Sequence, residues 1–404
     1  MEAVAVDTSF APEPLALVGA GTPTWLSELR RAAFARFAEL GFPTPKNEDW
    51  RYTGIQPITG TNWVRAARDP ELAEIPPAGV RVRRLSEALR DAEPFLGRIA
   101  RFESSAFAAL NTAMLDDALV VEIAKGAVVA EPVRITFRSG GAPEDQVQYP
   151  RVLILAGERS QASVVQAYAG DGRYLTNAVT EIALGEGALL EHYLLQQESP
   201  AASHVHALAA RQSRASHFTS HNLTFGGALA RTDISVLLDA EGAECTLNGL
   251  FVGRGEQHLD NHTVVDHAKP RCVSRELYKG ILDGAARGVF HGKVIVRQDA
   301  QKTDAVQTNK NLLLSRRALV NSTPALEILA DDVKCKHGST TGQLDAAAVF
   351  YLRSRGIGEA AARAMLTQAF AADLAERIRI PALRAEVERE LGRRLSGAAA
   401  EAAR

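Results

Sequence analysis

The chain has little cysteine: Cys245, Cys272 and Cys335 are the only three in 404 residues. An odd set this small builds no disulfide framework and leaves thiols free for metal or sulfur chemistry. An excess of either charge is missing too. With 46 basic against 48 acidic residues and a formal charge of -2, nothing marks the chain for nucleic acid or an anionic membrane. No segment reaches the roughly 18 unbroken apolar residues of a membrane helix. The first twenty residues contain Glu2, Asp7 and Glu13 without a basic start before an apolar run, so no secretory leader is expected. These absences together predict a cytoplasmic protein.

The common catalytic signatures are absent as well. There is no C-x-x-C, H-E-x-x-H, G-x-S-x-G or G-x-G-x-x-G, which removes the usual supports for dithiol, zinc-protease, serine-hydrolase and dinucleotide chemistry. Gly292-Lys293 ends a stretch resembling a phosphate loop, but Arg287 stands where glycine is needed and Val294 where Ser or Thr is needed. No ATP site is expected. The chain should not turn over a substrate alone.

What is present divides into three stretches, expected as an N-terminal helical domain over 1–100, a β core over 101–340 and a C-terminal helical domain over 341–404. Trp25, Leu26, Leu29, Ala33 and Phe37 recur at helical spacing, with Thr24 as candidate cap and Gly41 as the stop. Phe42 to Thr53, broken by Pro43 and Pro45, should form a loop packed by Trp50 and Tyr52. From Leu119 to Leu329 short runs such as Val133–Phe137, Val152–Ala156 and Ile234–Leu238 alternate apolar and polar residues, the period of strands. Small polar corners separate them, among them Leu184–Leu189, Leu238–Cys245 and Leu282–Ala286.

Helical crossovers are missing between these runs, which argues against a doubly wound sheet and leaves a sandwich, a barrel or a solenoid. More than 200 residues of short strands exceed a typical sandwich. The expected fold is therefore mainly β, with a parallel β-helix core. Three C-terminal helices, broken at Gly356 and before Pro381, could cover the open last coil or present a docking face.

Two polar concentrations are candidate sites. His258, Asp260 and His262 would share a strand face and could hold a divalent metal or relay protons. Their plainer reading is a solvated outer face with side-chain hydrogen bonds. Cys335 and His337 likewise share one side of a strand, while Lys334 and Lys336 on the other would favour the thiolate, and Gly338 permits close backbone approach. Two ligands cannot close a tetrahedral site, so any iron bound here needs ligands from elsewhere.

The run Asp331 to Ser354, DDVKCKHGSTTGQLDAAAVFYLRS, resembles a signature of the SufB/SufD family of the Suf iron-sulfur assembly system, on the SufD side rather than that of the longer SufB. Asn47 to Thr53, Val264 to His267, Ser274 to Gly280, Gly288, His291-Gly292-Lys293 and Thr303 to Leu314 resemble further family motifs, in order, between about residues 20 and 380. The resemblance implies a right-handed parallel β-helix flanked by helical domains. It implies a non-catalytic scaffold that pairs with SufB through the β-helix and with the SufC ATPase, which hydrolyses ATP, through the C-terminal helices. A transient, nascent iron-sulfur cluster would form at the SufB interface, with His337 as the implied metal ligand and Cys335 beside it in a less secure role. Reduced flavin in the complex, and a homodimer of the chain alone, are compatible with the resemblance. Two alternatives stay open: a purely structural partner of SufB, and a β-helix enzyme acting on polysaccharide, which would need paired carboxylates on one face.

Overall fold

A computed structural model describes residues 22–66, 71–72, 76–142 and 144–401. Helix α1 (Thr24–Leu40) turns its Leu26, Ala33 and Phe37 face inward and stops at Gly41, whose φ of 62° suits glycine. The residue before the helix is Pro23, and Thr24 lies inside the first turn with no side-chain cap, contrary to expectation. Of the loop aromatics, Trp50 packs, stacking on Phe107 at 5.3 Å, whereas Tyr52 stays 44% exposed. Short helices α2 (Gln56–Thr59), α3 (Leu89–Ala92) and α4 (Ala106–Ala113) complete the N-terminal layer.

The strands are β1 (Val64–Arg65), β2 (Glu71–Leu72), β3 (Val80–Arg84), β4 (Leu119–Ile123), β5 (Val133–Gly140), β6 (Gln146–Gln148), β7 (Arg151–Ala156), β8 (Gln161–Asp171), β9 (Tyr174–Leu184) and β10 (Leu189–Gln197). They continue with β11 (Ser203–Gln212), β12 (His217–Thr224), β13 (Leu229–Leu238), β14 (Glu244–Gly253), β15 (His258–His267), β16 (Val273–Leu282), β17 (Arg287–Val296), β18 (Asp304–Leu313), β19 (Leu319–Ile328) and β20 (Lys334–Gly342). From β7 onward successive strands alternate between two sheets. One runs β19-β17-β15-β13-β11-β9-β7-β4-β3, the other β2-β5-β8-β10-β12-β14-β16-β18-β20.

This arrangement is a parallel β-solenoid, the expected β-helix. Parallel neighbours need a crossover, and here each strand of one sheet is the crossover for the other. That is why no helices were needed between the runs. Inward positions stack on equivalents one coil away, so alternation along each strand becomes a layered core. Phe137 stacks on Tyr168 at 5.0 Å, and Tyr278 lies against Phe290 at 5.0 Å.

One corner repeats a single device. Arg159, Gly187, Ala215, Gly242, Arg271 and Lys302 all have positive φ between 50° and 71°. Each donates its backbone N–H to the next coil, as from Arg159 to Glu186 O at 2.8 Å, Ala215 to Glu241 O at 3.1 Å and Lys302 to Asp332 O at 2.7 Å. The stacking demands the left-handed turn even where no glycine supplies it.

The two ends of the solenoid differ. At the N-terminal end β3 pairs antiparallel with β4 and β2 antiparallel with β5, so both sheets end there on a reversed strand. At the other end β19 and β20 are edge strands, with no further described element paired to them. Helices α5 (Ala346–Ser354), α6 (Glu359–Ala375) and α7 (Pro381–Glu401) follow. They do not cover that last coil. Leu374, Ile378, Leu383, Val387 and Leu391 pack along the flank against Tyr193, Leu195, Phe225, Leu250 and Ile281. Lys279 Nζ reinforces this seam, donating to Phe370 O at 2.6 Å and pairing with Asp373. No helix of the described residues is long and apolar enough to cross a membrane.

Candidate functional site

The Cys335–His337 pair lies on β20, the outermost strand. Cys335 is in register with Ala305 and His337 with Gln307, both buried inward residues of β18. The pair therefore sits on the inward side of the open coil, with Lys334 and Lys336 on the alternate positions, as the period of two predicts. Along the same column Leu247, Glu276, Gln307 and His337 occupy successive coils. Gln307 Nε2 donates to Glu276 Oε2 at 2.7 Å. Burial, partly offset by hydrogen bonds from neighbours including Gln307, pushes the Glu276 carboxyl up to about 7. The polar interior thus reaches the surface at His337, which is exposed.

Cys335 is only half-buried and packs beside Val294, Val296, Ala300 and Ala330. Its thiol is pushed up by burial and by Asp304, against a backbone hydrogen bond involving Ala305. The expectation that Lys334 and Lys336 would favour the thiolate is corrected: burial dominates. Cys245 and Cys272 are buried and likewise pushed up by burial, and Cys272 Sγ donates to Ala240 O at 3.3 Å. Among the described residues no three His, Cys, Asp or Glu side chains converge as a metal-holding group. The pair on β20 is not joined by a third side chain of these kinds among the described residues.

His258, Asp260 and His262 do share a face of β15, but that face is not solvated. Asp260 is 1% exposed, beneath the Asn47–Thr53 stretch. Thr53 Oγ1 donates to Asp260 Oδ2 at 2.6 Å. Its single hydrogen being spent, His258 Nε2 is the donor in the 2.9 Å contact to Thr53 Oγ1. Arg231 Nη1 reaches both Asp260 Oδ2 at 2.8 Å and Asp49 O at 2.7 Å, and its guanidinium lies 3.8 Å from the Trp50 ring centroid. Burial would raise the Asp260 carboxyl, but Arg231, His262 and Thr53 together hold it well below the usual carboxylate range. His262 also stacks on His291 at 5.1 Å. The cluster is a clasp joining the N-terminal layer to the solenoid. Arg231 was missed in the sequence because only the fold brings it between Asp49 and Asp260.

A second anchor was equally hidden. Glu181 is completely buried against Arg151, and its carboxylate also accepts from Gly97 N at 2.9 Å, Ile99 N at 3.1 Å and Ala100 N at 3.0 Å. Deeper in the coils His192 Nε2 meets Gln166 Oε1 at 2.7 Å and His206 Nε2 meets Thr180 Oγ1 at 3.0 Å. Burial lowers both imidazoles, His192 to about 3, so they are neutral hydrogen-bonding groups of the core.

Comparison with known proteins is consistent with this layout. Residues 137–370 match the family described as "SUF system FeS cluster assembly, SufBD core domain", and residues 13–72 match the SufBD protein N-terminal region. The chain is 32% identical over 385 residues to the iron-sulfur cluster assembly protein SufD of Escherichia coli, covering 89% of this chain and 90% of that one. It is 31% identical over 378 residues to a SufBD family protein of Mycobacterium tuberculosis, covering 89% and 92%. A SufBD family protein of Synechocystis is 34% identical over 287 residues, 69% of this chain and 63% of the relative.

Proposed function

Because the chain belongs to the SufBD family of SUF-system iron-sulfur cluster assembly proteins, we propose that it is a scaffold subunit whose open last coil pairs with SufB and whose His337 ligates a nascent cluster shared across that interface. The observation that carries this reading is the position of His337. It is exposed on an edge strand with one side paired to β18, at the end of an inward polar column and, among the described residues, without companions able to complete a metal site. An edge strand invites a partner's backbone, and imidazole with a neighbouring thiol suits iron bound to sulfide. The cluster is cargo here. The chain supplies a binding position, and the remaining ligands come from the partner.

The C-terminal helices would dock the SufC ATPase, whose nucleotide hydrolysis this chain does not perform. Their inner residues are committed to the flank of the solenoid, while Phe350 on α5 and Met365 on α6 stay 72% and 48% exposed.

The test is coexpression with SufB and SufC homologues and anaerobic reconstitution. His337→Ala should leave the complex assembled and the subunit's stability within about 0.5 kcal/mol, as for an exposed residue, yet abolish the cluster's visible absorption. Normal cluster yield would overturn the ligand assignment. A second reading, that Cys335 serves the interface alone, is favoured by its apolar packing and raised thiol. Cys335→Ser should then retain the cluster with an unchanged Mössbauer spectrum.

A further inference from the structure

At the N-terminal end, far along the coil from His337, β1 pairs with β6 beside the connection from α4 to β4. A cavity of about 140 Å³ lies there, lined in part by Arg65, Asp116, Asp117, Gln148, Tyr149 and Arg151. Such a volume holds several waters or one small polyatomic ion.

Four lining groups lack any hydrogen-bond partner: Arg65 Nη1, Gln148 Nε2, Tyr149 Oη and Arg151 Nε. Gln148 and Arg151 are 5% and 2% exposed. All four groups can donate, and a buried unmet donor costs roughly 1–3 kcal/mol. Burial pushes the Tyr149 phenol up, so it keeps its proton. Both carboxylates on the wall are already engaged. Asp117 Oδ1 accepts from Leu85 N at 3.0 Å and Ala118 N at 2.8 Å, and its Oδ2 from Arg84 at 3.2 Å. Asp116 pairs with Arg65, whose Nη2 also donates to Met114 O at 2.7 Å. Arg65, Arg84 and Arg151 line the cavity, each already paired with one carboxylate, Asp116, Asp117 and the buried Glu181 in turn.

We propose that this cavity binds a small oxyanion, a phosphate or a small carboxylate, held by Arg65, Gln148, Tyr149 and Arg151. Its oxygens supply acceptors to four donors that have none. The site lies between the N-terminal layer and the first coils, so its occupancy would tie the two together.

The test is isothermal titration of the full chain with inorganic phosphate and, separately, malonate, at constant ionic strength in chloride. Saturable one-to-one binding of either supports the site, and the tighter of the two identifies its source. Tyr149→Phe, which removes only the hydroxyl, and Arg65→Gln should each weaken binding about tenfold, the worth of one charge-assisted hydrogen bond. His337→Ala should bind like the unaltered chain. Failure of both anions to saturate at millimolar concentration, or unchanged binding in Tyr149→Phe, would overturn the proposal.

Discussion

Thr53 Oγ1 and Asp260 Oδ2 meet at 2.6 Å across 207 positions of sequence. That bond fastens the loop after α1 onto the solenoid, with Arg231 clamped between Asp260 and the Asp49 carbonyl and covered by the Trp50 ring. A motif near the start of the chain and another past its middle are thus two halves of one joint.

Asp260→Asn should therefore destabilise the chain by about 3 kcal/mol, since it strips a buried guanidinium of one counter-charge. The native carboxyl is held low. Its contribution is fully present above the unfolded value of about 4 and is lost as pH falls below that. Urea unfolding at pH 7 and across pH 3 to 5 should give a lower midpoint for Asp260→Asn, with a shallower acid decline.

Glu276 works in the opposite sense. Burial raises its carboxyl to about 7, so the folded state holds a proton that the unfolded chain releases near pH 4.5. Stability associated with this group is complete below about 4.5 and is lost as pH rises through 7, on the order of 3 kcal/mol. Glu276→Gln keeps the shape and the link to Gln307. Denaturation curves from pH 5 to 8 should fall for the native chain and stay flatter for the variant. Parallel curves would refute the assignment.

Gly280 lies in register between Phe251 and Asn311. A Cβ there would meet the Phe251 ring closer than carbons approach, and Asn311 Oδ1 at 2.7 Å. Gly280→Ala must displace a core aromatic and should cost about 1–3 kcal/mol, read as a lower unfolding midpoint. Its backbone is not left-handed, so the penalty is crowding rather than strain.

Ala215 presents the reverse case. With φ at 50° in the corner column, and Gly187 and Gly242 on either side of it in that column, it bears a steric cost that glycine avoids. Ala215→Gly should raise stability by about 0.5–1 kcal/mol despite the added freedom of the unfolded chain. A loss of stability would mean that the column tolerates alanine without strain.

Strands, corners and terminal helices were legible in the sequence because each is a local pattern. Period two marked Val133–Phe137 and Val152–Ala156, the missing crossovers removed a doubly wound sheet, and the more than 200 residues of short strands favoured a solenoid over a sandwich. The destination of polar side chains was not legible. His258, Asp260 and His262 read equally well as a solvated face, because the Thr53 and Trp50 that bury them are about two hundred residues earlier. The covering role suggested for the C-terminal helices failed similarly: their apolar faces predict packing, but not whether against the end or the flank. Cys335 and His337 were correctly placed on one side of a strand, while burial of the thiol depended on Val294 and Ala330, which spacing does not reveal.

The unequal ends of the solenoid limit how such chains can associate. Antiparallel β3 and β2 end the two sheets at the first coil, whereas parallel β19 and β20 end them at the last. A rod with two sticky ends would add copies without limit. A rod whose two ends differ in strand direction matches like end to like end better than head to tail, and such a pairing closes on itself instead of growing into a fibre.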